Sequence, residues 1–271
     1  MQRNVRASYV AAIEARKHAA RLVKHAEAAL TQSLGLDALD LSPSLHYSRP
    51  FRDLLAARRF DAEYFNPRYQ RVLARLEKGA QTIGDVADSA ERRFLPGLAE
   101  KGSTFNYIEI GSLTADGQAE AESIAVADAP TRAQCIVEPG DVITSTVRPI
   151  RRLSALINDE QRGFVCSSGF AVLHPKPGKD GVEPEVLLTY LRLPIICEIM
   201  DLHTTASMYP AIPVDRLLSI PISLPKQSVR DTIVEKVRAS FAARRESARL
   251  LEQAKTTVEN MILGNSSKNP R

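Results

Sequence analysis

The sequence predicts an α+β protein whose β-rich middle is flanked by two long α-helices. Two observations carry this reading. Stretches free of Pro and Gly lie near both ends of the 271-residue chain, and eleven of its sixteen prolines crowd between Pro130 and Pro225 among short β-branched runs. Hydrophobic residues make up 44% of the chain, enough for a real core, which excludes wholesale disorder.

Each element follows from local pattern. From Val5 to Leu34, apolar residues recur at Val5, Tyr9, Ile13, Ala20, Val23, Leu30 and Leu34 with helical spacing, and Gly35 supplies the stop. Leu41-Ser-Pro-Ser-Leu45 reads as a loop, and residues 53–76 read as helix with a break at Asn66-Pro67. Val142 to Val147, Leu153 to Ile157 and Phe164 to Leu173 read as strands. They are bounded by the turns Glu138-Pro-Gly-Asp141, Asn158-Asp-Glu-Gln161 and Pro175-Lys-Pro-Gly178. Residues 185–202 form a buried helix, kinked or broken at Pro194. A second long helix runs from Val229 to Ile262 through Ile233, Val237, Phe241, Ala248, Leu251 and Val258, up to Gly264. At about 1.5 Å per residue each long helix extends roughly 45–50 Å, more than a small domain needs, so each calls for a partner helix and an antiparallel coiled-coil-like pair is expected. The expected domains are a helix at 1–35, a β-rich domain at 36–225, a helix at 226–263 and a disordered tail at 264–271.

Composition and spacing narrow the function. Charge or Pro interrupts every apolar stretch before it reaches membrane length, and no secretory apolar region opens the chain, so a cytoplasmic protein without a membrane partner is expected. Cys135, Cys166 and Cys197 are too scattered for a disulfide framework or a zinc half-site and read as small buried hydrophobes. Residues 1–35 hold six Lys/Arg against two Asp/Glu and residues 226–271 ten against five, leaving 20 against 25 between them. The two ends carry the excess of positive charge, so a polyanion-binding role for the middle must rest on local clusters.

Enzymatic readings fail on spacing. Asn66-Pro-Arg-Tyr69 is similar to the NPPY box of adenine N6-methyltransferases, but Arg68 replaces the second Pro. The chain also has no Gly-x-Gly to hold S-adenosylmethionine. Gly178-Lys179 is followed by Asp180, so no phosphate-binding loop is present. No acidic residue stands two before a Lys as metal nucleases require, and His18, His25, His46, His174 and His203 lack metal-ligand spacing. Cys166-Ser-Ser-Gly169 lacks a nucleophile elbow. No catalytic residue, cofactor or metal is assigned.

One constellation survives. The strand Val142-Ile-Thr-Ser-Thr-Val147 delivers Arg148, Arg151 and Arg152 at its end, guanidiniums suited to phosphates and to guanine edges, with the hydroxyls of Ser145 and Thr146 beside them. The other use of these arginines is ion pairing with Glu138, Asp159 or Glu160. Arg92, Arg93 and Lys101 offer a second basic rim. The loop Thr204-Thr-Ala-Ser-Met-Tyr-Pro210 offers Ser207 and Tyr209 for base or sugar-phosphate contact, or is an ordinary packed loop.

The order of motifs is more specific than any of them singly. Asp61-Ala-Glu-Tyr-Phe-Asn-Pro67, Tyr107-Ile-Glu-Ile110, Glu138-Pro-Gly-Asp-Val-Ile-Thr-Ser-Thr-Val-Arg-Pro149, Ser167-Ser-Gly-Phe-Ala-Val-Leu173, Met208-Tyr-Pro-Ala-Ile-Pro-Val-Asp215 and Ile220-Pro-Ile-Ser-Leu-Pro225 lead in turn into a long helix. This series resembles the DNA-specificity (S) subunits of type I restriction-modification systems over residues 60–262. It departs from them at Lys226-Gln227, where the family has Glu-Gln after the Pro. The resemblance implies a target recognition domain reading one half of a split double-stranded DNA site, carried by spacer helices, in a half-length form with one such domain. It also implies, as partners, the modification (methyltransferase) subunits, a restriction (ATP-dependent translocase/endonuclease) subunit where one exists, and a second copy of the chain. Methylation and cleavage would belong to those partners. The alternative is a coiled-coil scaffold or regulator of such a complex that reads no sequence.

Overall fold

The computed structural model describes residues 2–98, 100, 102–114, 116–178, 181–205 and 208–266. It divides into two compact units, Met1–Ala26 with Val234–Arg271, and Glu27–Ile233.

The first unit is a helix pair. Helix α1 spans Gln2–Ser33 and helix α8, the last, spans Gln227–Ser266. Within this unit each helix is the other's partner, and beside Val237, buried as expected, much of the seam is made of small residues. On α1 it is Ala12, Ala19 and Ala26, spaced by seven, and on α8 it is Ser240, Ser247 and Ala254, spaced likewise, all buried. A repeat of seven keeps one face toward a partner, and small residues let the two backbones approach closely. The Ser240 hydroxyl donates to the Ala19 carbonyl at 3.1 Å and the Ser247 hydroxyl to the Ala12 carbonyl at 2.8 Å. The rising number on one helix against the falling number on the other makes the pair antiparallel. Tyr9, expected on the packed face, is 55% exposed, and Ala20 is exposed too. Replacing Ala19 with Leu forces this close seam apart and is expected to cost about 1–3 kcal/mol. Ala20→Leu, one residue away on the exposed side, is expected to change little, and thermal unfolding followed by circular dichroism separates the two.

The second unit holds the β-structure. Helix α1 ends at a left-handed Gly35, where the Leu36 N–H returns to the Thr31 carbonyl at 3.0 Å. The helical stretch expected at 53–76 divides into α2 (Phe51–Ala57) and α3 (Pro67–Leu76). The side chain of Asn66 caps α3 by accepting from the Arg68 N–H, and Pro67 sits where a missing N–H costs nothing. Short elements follow: β1 (Gln81–Thr82), α4 (Ile83–Val86), β2 (Ala87–Ser89), β3 (Thr104–Ile108), β4 (Glu122–Ala125), β5 (Ala133–Ile136), β6 (Val142–Ser145), β7 (Ser154–Leu156), β8 (Val165–Ser167) and β9 (Phe170–Pro175). Then come α5 (Pro184–Leu191), α6 (Pro194–Leu202), α7 (Val214–Leu218) and β10 (Pro221–Ile222). Pro194 breaks the buried helix into α5 and α6 by starting the second.

The strands form two four-stranded sheets, β2-β9-β6-β7 and β4-β3-β8-β5, with β1 and β10 pairing separately. The first is antiparallel throughout, and the second contains one parallel pair, β3 with β8. Ile108 and Cys166 from one sheet meet Ile143, Ala155 and Val172 from the other in a single buried cluster. The sequence run at 164–173, read as one strand, is two strands in different sheets, and the chain crosses between them at Ser168-Gly169. Gly169 leaves room there for Ile110: a Cβ would lie 2.4 Å from Ile110 Cδ1, so the end of that side chain would have to shift. Helix α5 is buried nearly all round, as an apolar helix must be. Residues 264–266 of the expected tail continue α8, and the remainder lies outside the described residues.

Candidate nucleic-acid interface

Strand β6 is buried from Val142 to Ser145 and pairs with β9 so that Ser145 faces Phe170. This register brings the end of β6 against the crossover turn: the Thr146 N–H donates to the Gly169 carbonyl at 2.8 Å. Two further backbone bonds fasten the segment after α6 to the same place. Ile212 N–H donates to the Thr146 carbonyl at 2.9 Å, and Arg148 N–H donates to the Pro210 carbonyl at 2.9 Å. The arginine loop and the segment at Pro210–Ile212, expected separately, therefore meet at one edge with the crossover turn, which the sequence did not show.

The loop itself is tightly wound. Arg148 and Arg152 both adopt left-handed backbone, at φ 50° and 59°, around a single turn of 3-10 helix at Pro149–Arg151. Left-handed backbone at two non-glycine residues costs of order 1–3 kcal/mol each and persists only where the surroundings impose it. Here buried Pro149 and the side chains of Arg152 and Arg192 do so. Arg152 Nε donates to the Arg192 carbonyl at 2.7 Å and its terminal nitrogen pairs with Glu27 at 2.7 Å, while Arg192 donates back to the carbonyls of Arg152 at 3.0 Å and Ser154 at 3.2 Å. Burial lowers the Arg192 pKa from its ordinary value, opposed by the Glu27 charge.

These contacts show how the residues expected to bind DNA are held in the fold. Arg152 is a clamp inside the fold. Ser145 and Thr146 are buried, and their hydroxyls donate to the carbonyls of Val147 and Gly169, each at 2.9 Å, so neither is a surface donor. Arg92 is held by the buried carboxylate of Asp141 and by the Ile136 carbonyl at 3.2 Å. Arg148, half-buried, and Arg151 and Arg93, both exposed, have no side-chain partner among the described residues. The alternative pairing of the loop with Glu138 does not form; Arg162 takes that carboxylate at 2.8 Å. Tyr209 is 69% exposed beside the loop, whereas Ser207 and Lys101 lie outside the described residues.

A groove of about 560 Å³ adjoins this edge. Arg92, Arg93, Gln134, Cys135, Ser168 and Phe170 are among its lining residues. Segment 89–95 forms one wall, stitched by Phe94 N–H to the Gln134 carbonyl at 2.8 Å and Ile136 N–H to the Arg92 carbonyl at 2.7 Å. A hydrogen bond from Cys166 and the charge of Arg92 hold the Cys135 thiol below its usual pKa against partial burial. Gln134 and Ser168 were invisible in the sequence as site residues, because nothing local marks strand β5 and the crossover turn as neighbours of Arg93.

A β-rich domain of two packed sheets, flanked in sequence by two long helices, matches the fold of HsdS specificity subunits of type I restriction-modification systems. Among solved structures, the chain is similar to the HsdS subunit from Thermoanaerobacter tengcongensis, with 26% identity and a TM-score of 0.50 over 66% of this chain and 46% of that one. It is also similar to a chain from a structure describing the assembly and conformational transition of a type I restriction-modification system, with 27% identity and a TM-score of 0.51 over 69% of this chain and 48% of that one. The chain thus matches about half the length of each. No protein-family model matches the sequence, and no curated protein matches it significantly.

Proposed function

We propose that this chain is a non-catalytic, cytoplasmic DNA-reading subunit of a type I restriction-modification system. Its β-rich unit takes one half-site of double-stranded DNA, and its helices bind the methyltransferase subunits, a restriction subunit where one is present, and a second copy that reads the other half. The observation that carries this is the joining of three segments at one edge, where Arg148 and Arg151 stand on a rigid loop without internal partners. Unpaired guanidiniums on a fixed backbone suit phosphates and base edges, because the cost of ordering that backbone is already met within the fold. The likeness to HsdS structures supports the same reading. Interior net acidity is compatible with it, since sequence reading needs a few placed contacts while partners neutralise further phosphates.

The scaffold reading draws on a different feature. The ends of the helix pair carry an apolar groove of about 720 Å³ lined by Val5, Tyr9, Leu251, Ala254, Val258 and Met261, which suits protein contact whether or not DNA is read. Copurification with the candidate modification subunit, followed by sequencing of DNA selected from a random pool at fixed salt, separates the two. A split, inverted motif supports the reading subunit, and a stable complex selecting no motif supports the scaffold. The double variant Arg148→Ala, Arg151→Ala is expected to weaken binding by about 1–3 kcal/mol for each base-contacting Arg, or to reduce the salt slope by about 1 for each phosphate contact. Unchanged binding removes these residues from the interface.

A further inference from the structure

The groove beside the arginine edge presents polar side chains that the fold leaves unused. Glu91, Arg93, Gln134 and Ser168 all line it and are all exposed. Among the described residues, the carboxylate of Glu91, the guanidinium of Arg93 and the hydroxyl of Ser168 have no hydrogen-bond partner, and Gln134 uses its amide only toward the Thr131 carbonyl at 3.0 Å. Their backbones are nevertheless fixed. The Arg93 segment is bonded to β5 on both sides of the Arg93–Cys135 bridge, and the Ser168 N–H donates to the Arg132 carbonyl at 2.7 Å.

The side-chain types match the edges of base pairs in the major groove. Arginine suits guanine O6 and N7, glutamine suits adenine N6 and N7, a carboxylate accepts from cytosine N4, and serine serves either role. Glu91 discriminates between kinds of contact. A carboxylate facing phosphates is repelled, whereas beside an exocyclic amino group it finds a donor. Arg148 and Arg151 stand on the loop at Pro149–Arg151 and are not among the groove-lining residues.

We infer that Glu91, Arg93, Gln134 and Ser168 read base edges of the half-site, while Arg148 and Arg151 hold the sugar-phosphate backbone beside it. This rests on the DNA-reading function proposed above and assigns its specificity to particular side chains.

The test uses the full chain with its modification subunit and a random DNA pool, comparing wild type with Glu91→Gln, Gln134→Ala and the Arg148→Ala, Arg151→Ala double variant. Glu91→Gln and Gln134→Ala are expected each to lose discrimination at one or two positions of a half-site by about 5- to 150-fold, with the salt slope unchanged. The double variant is expected to keep the motif and bind all sequences more weakly, with a shallower salt slope. Both groove residues are exposed, so unchanged thermal stability accompanies a true loss of reading. Wild-type motifs selected by both groove variants overturn the assignment and leave the DNA-reading function standing. A wild-type protein that selects no motif overturns the function itself, and the assignment with it.

Discussion

Asp141→Ala is expected to destabilise the β-rich unit by about 3–5 kcal/mol, toward the lower end because Arg92 keeps about a third of its side chain in water. Asp141 is fully buried, and its carboxylate holds three groups at once: the Arg92 guanidinium, His174 Nδ1 at 3.0 Å and the Glu138 N–H at 2.8 Å. The last of these closes the Glu138-Pro-Gly-Asp141 turn that opens β6. Removing the carboxylate leaves a half-buried cation without its counterion and a turn donor without its acceptor. Asp141→Asn can still accept from Glu138 and is expected to cost less. Urea unfolding of the three proteins measures the order, and a cost below about 1 kcal/mol for the Ala variant shows that water replaces the carboxylate as the partner of Arg92. Arg92 also pins the segment bearing Glu91 and Arg93, so the same variant should blur sequence selection before it abolishes folding.

The consequence of that carboxylate shows where sequence reading succeeds and where it stops. Pro and Gly punctuation placed the breaks at Asn66-Pro67 and Pro194 and the stop at Gly35, because these residues act through their own backbone. The same local logic identified β6 and the arginines at its end. It failed wherever a partner is distant in sequence. Arg92 is separated from Asp141 by 49 residues and Arg152 from Glu27 by 125, so both read as surface cations although both act as clamps inside the fold. Ser145 and Thr146 read as donors to a ligand because the carbonyls they satisfy have no signature. The helix pair itself was legible, as were the buried positions Leu30, Ile233 and Val237, but part of its packed face was not: weighting large apolar residues also favoured Tyr9, whereas closest approach selects Ala12, Ala19, Ser240 and Ser247, which hydropathy scarcely registers. At 164–173 an unbroken apolar run concealed a change of sheet that only Gly169 marked.

Arg192→Ala is expected to impair DNA binding from a position that cannot touch DNA. Arg192 is 5% exposed at the end of α5, and its guanidinium holds the carbonyls of Arg152 and Ser154, while its own carbonyl takes Arg152 Nε. Losing it leaves two acceptors dry, at about 1–3 kcal/mol each, and removes the closure that keeps Arg148 and Arg152 in left-handed backbone. The loop then relaxes toward ordinary conformations and the backbone carrying Arg148 and Arg151 is no longer fixed. Affinity is expected to fall about tenfold, which is roughly 1.4 kcal/mol of lost preorganisation, with the selected motif retained. Both carbonyls are held by one nitrogen, Nη1, so Arg192→Lys keeps charge and donors but ends a bond short of that position, and it is expected to recover only part of either effect. Binding titrations performed where each variant remains folded distinguish loop order from global stability. A stability loss without an affinity loss would place the restraint on the arginine loop in the Thr146–Gly169 and Arg148–Pro210 bonds instead.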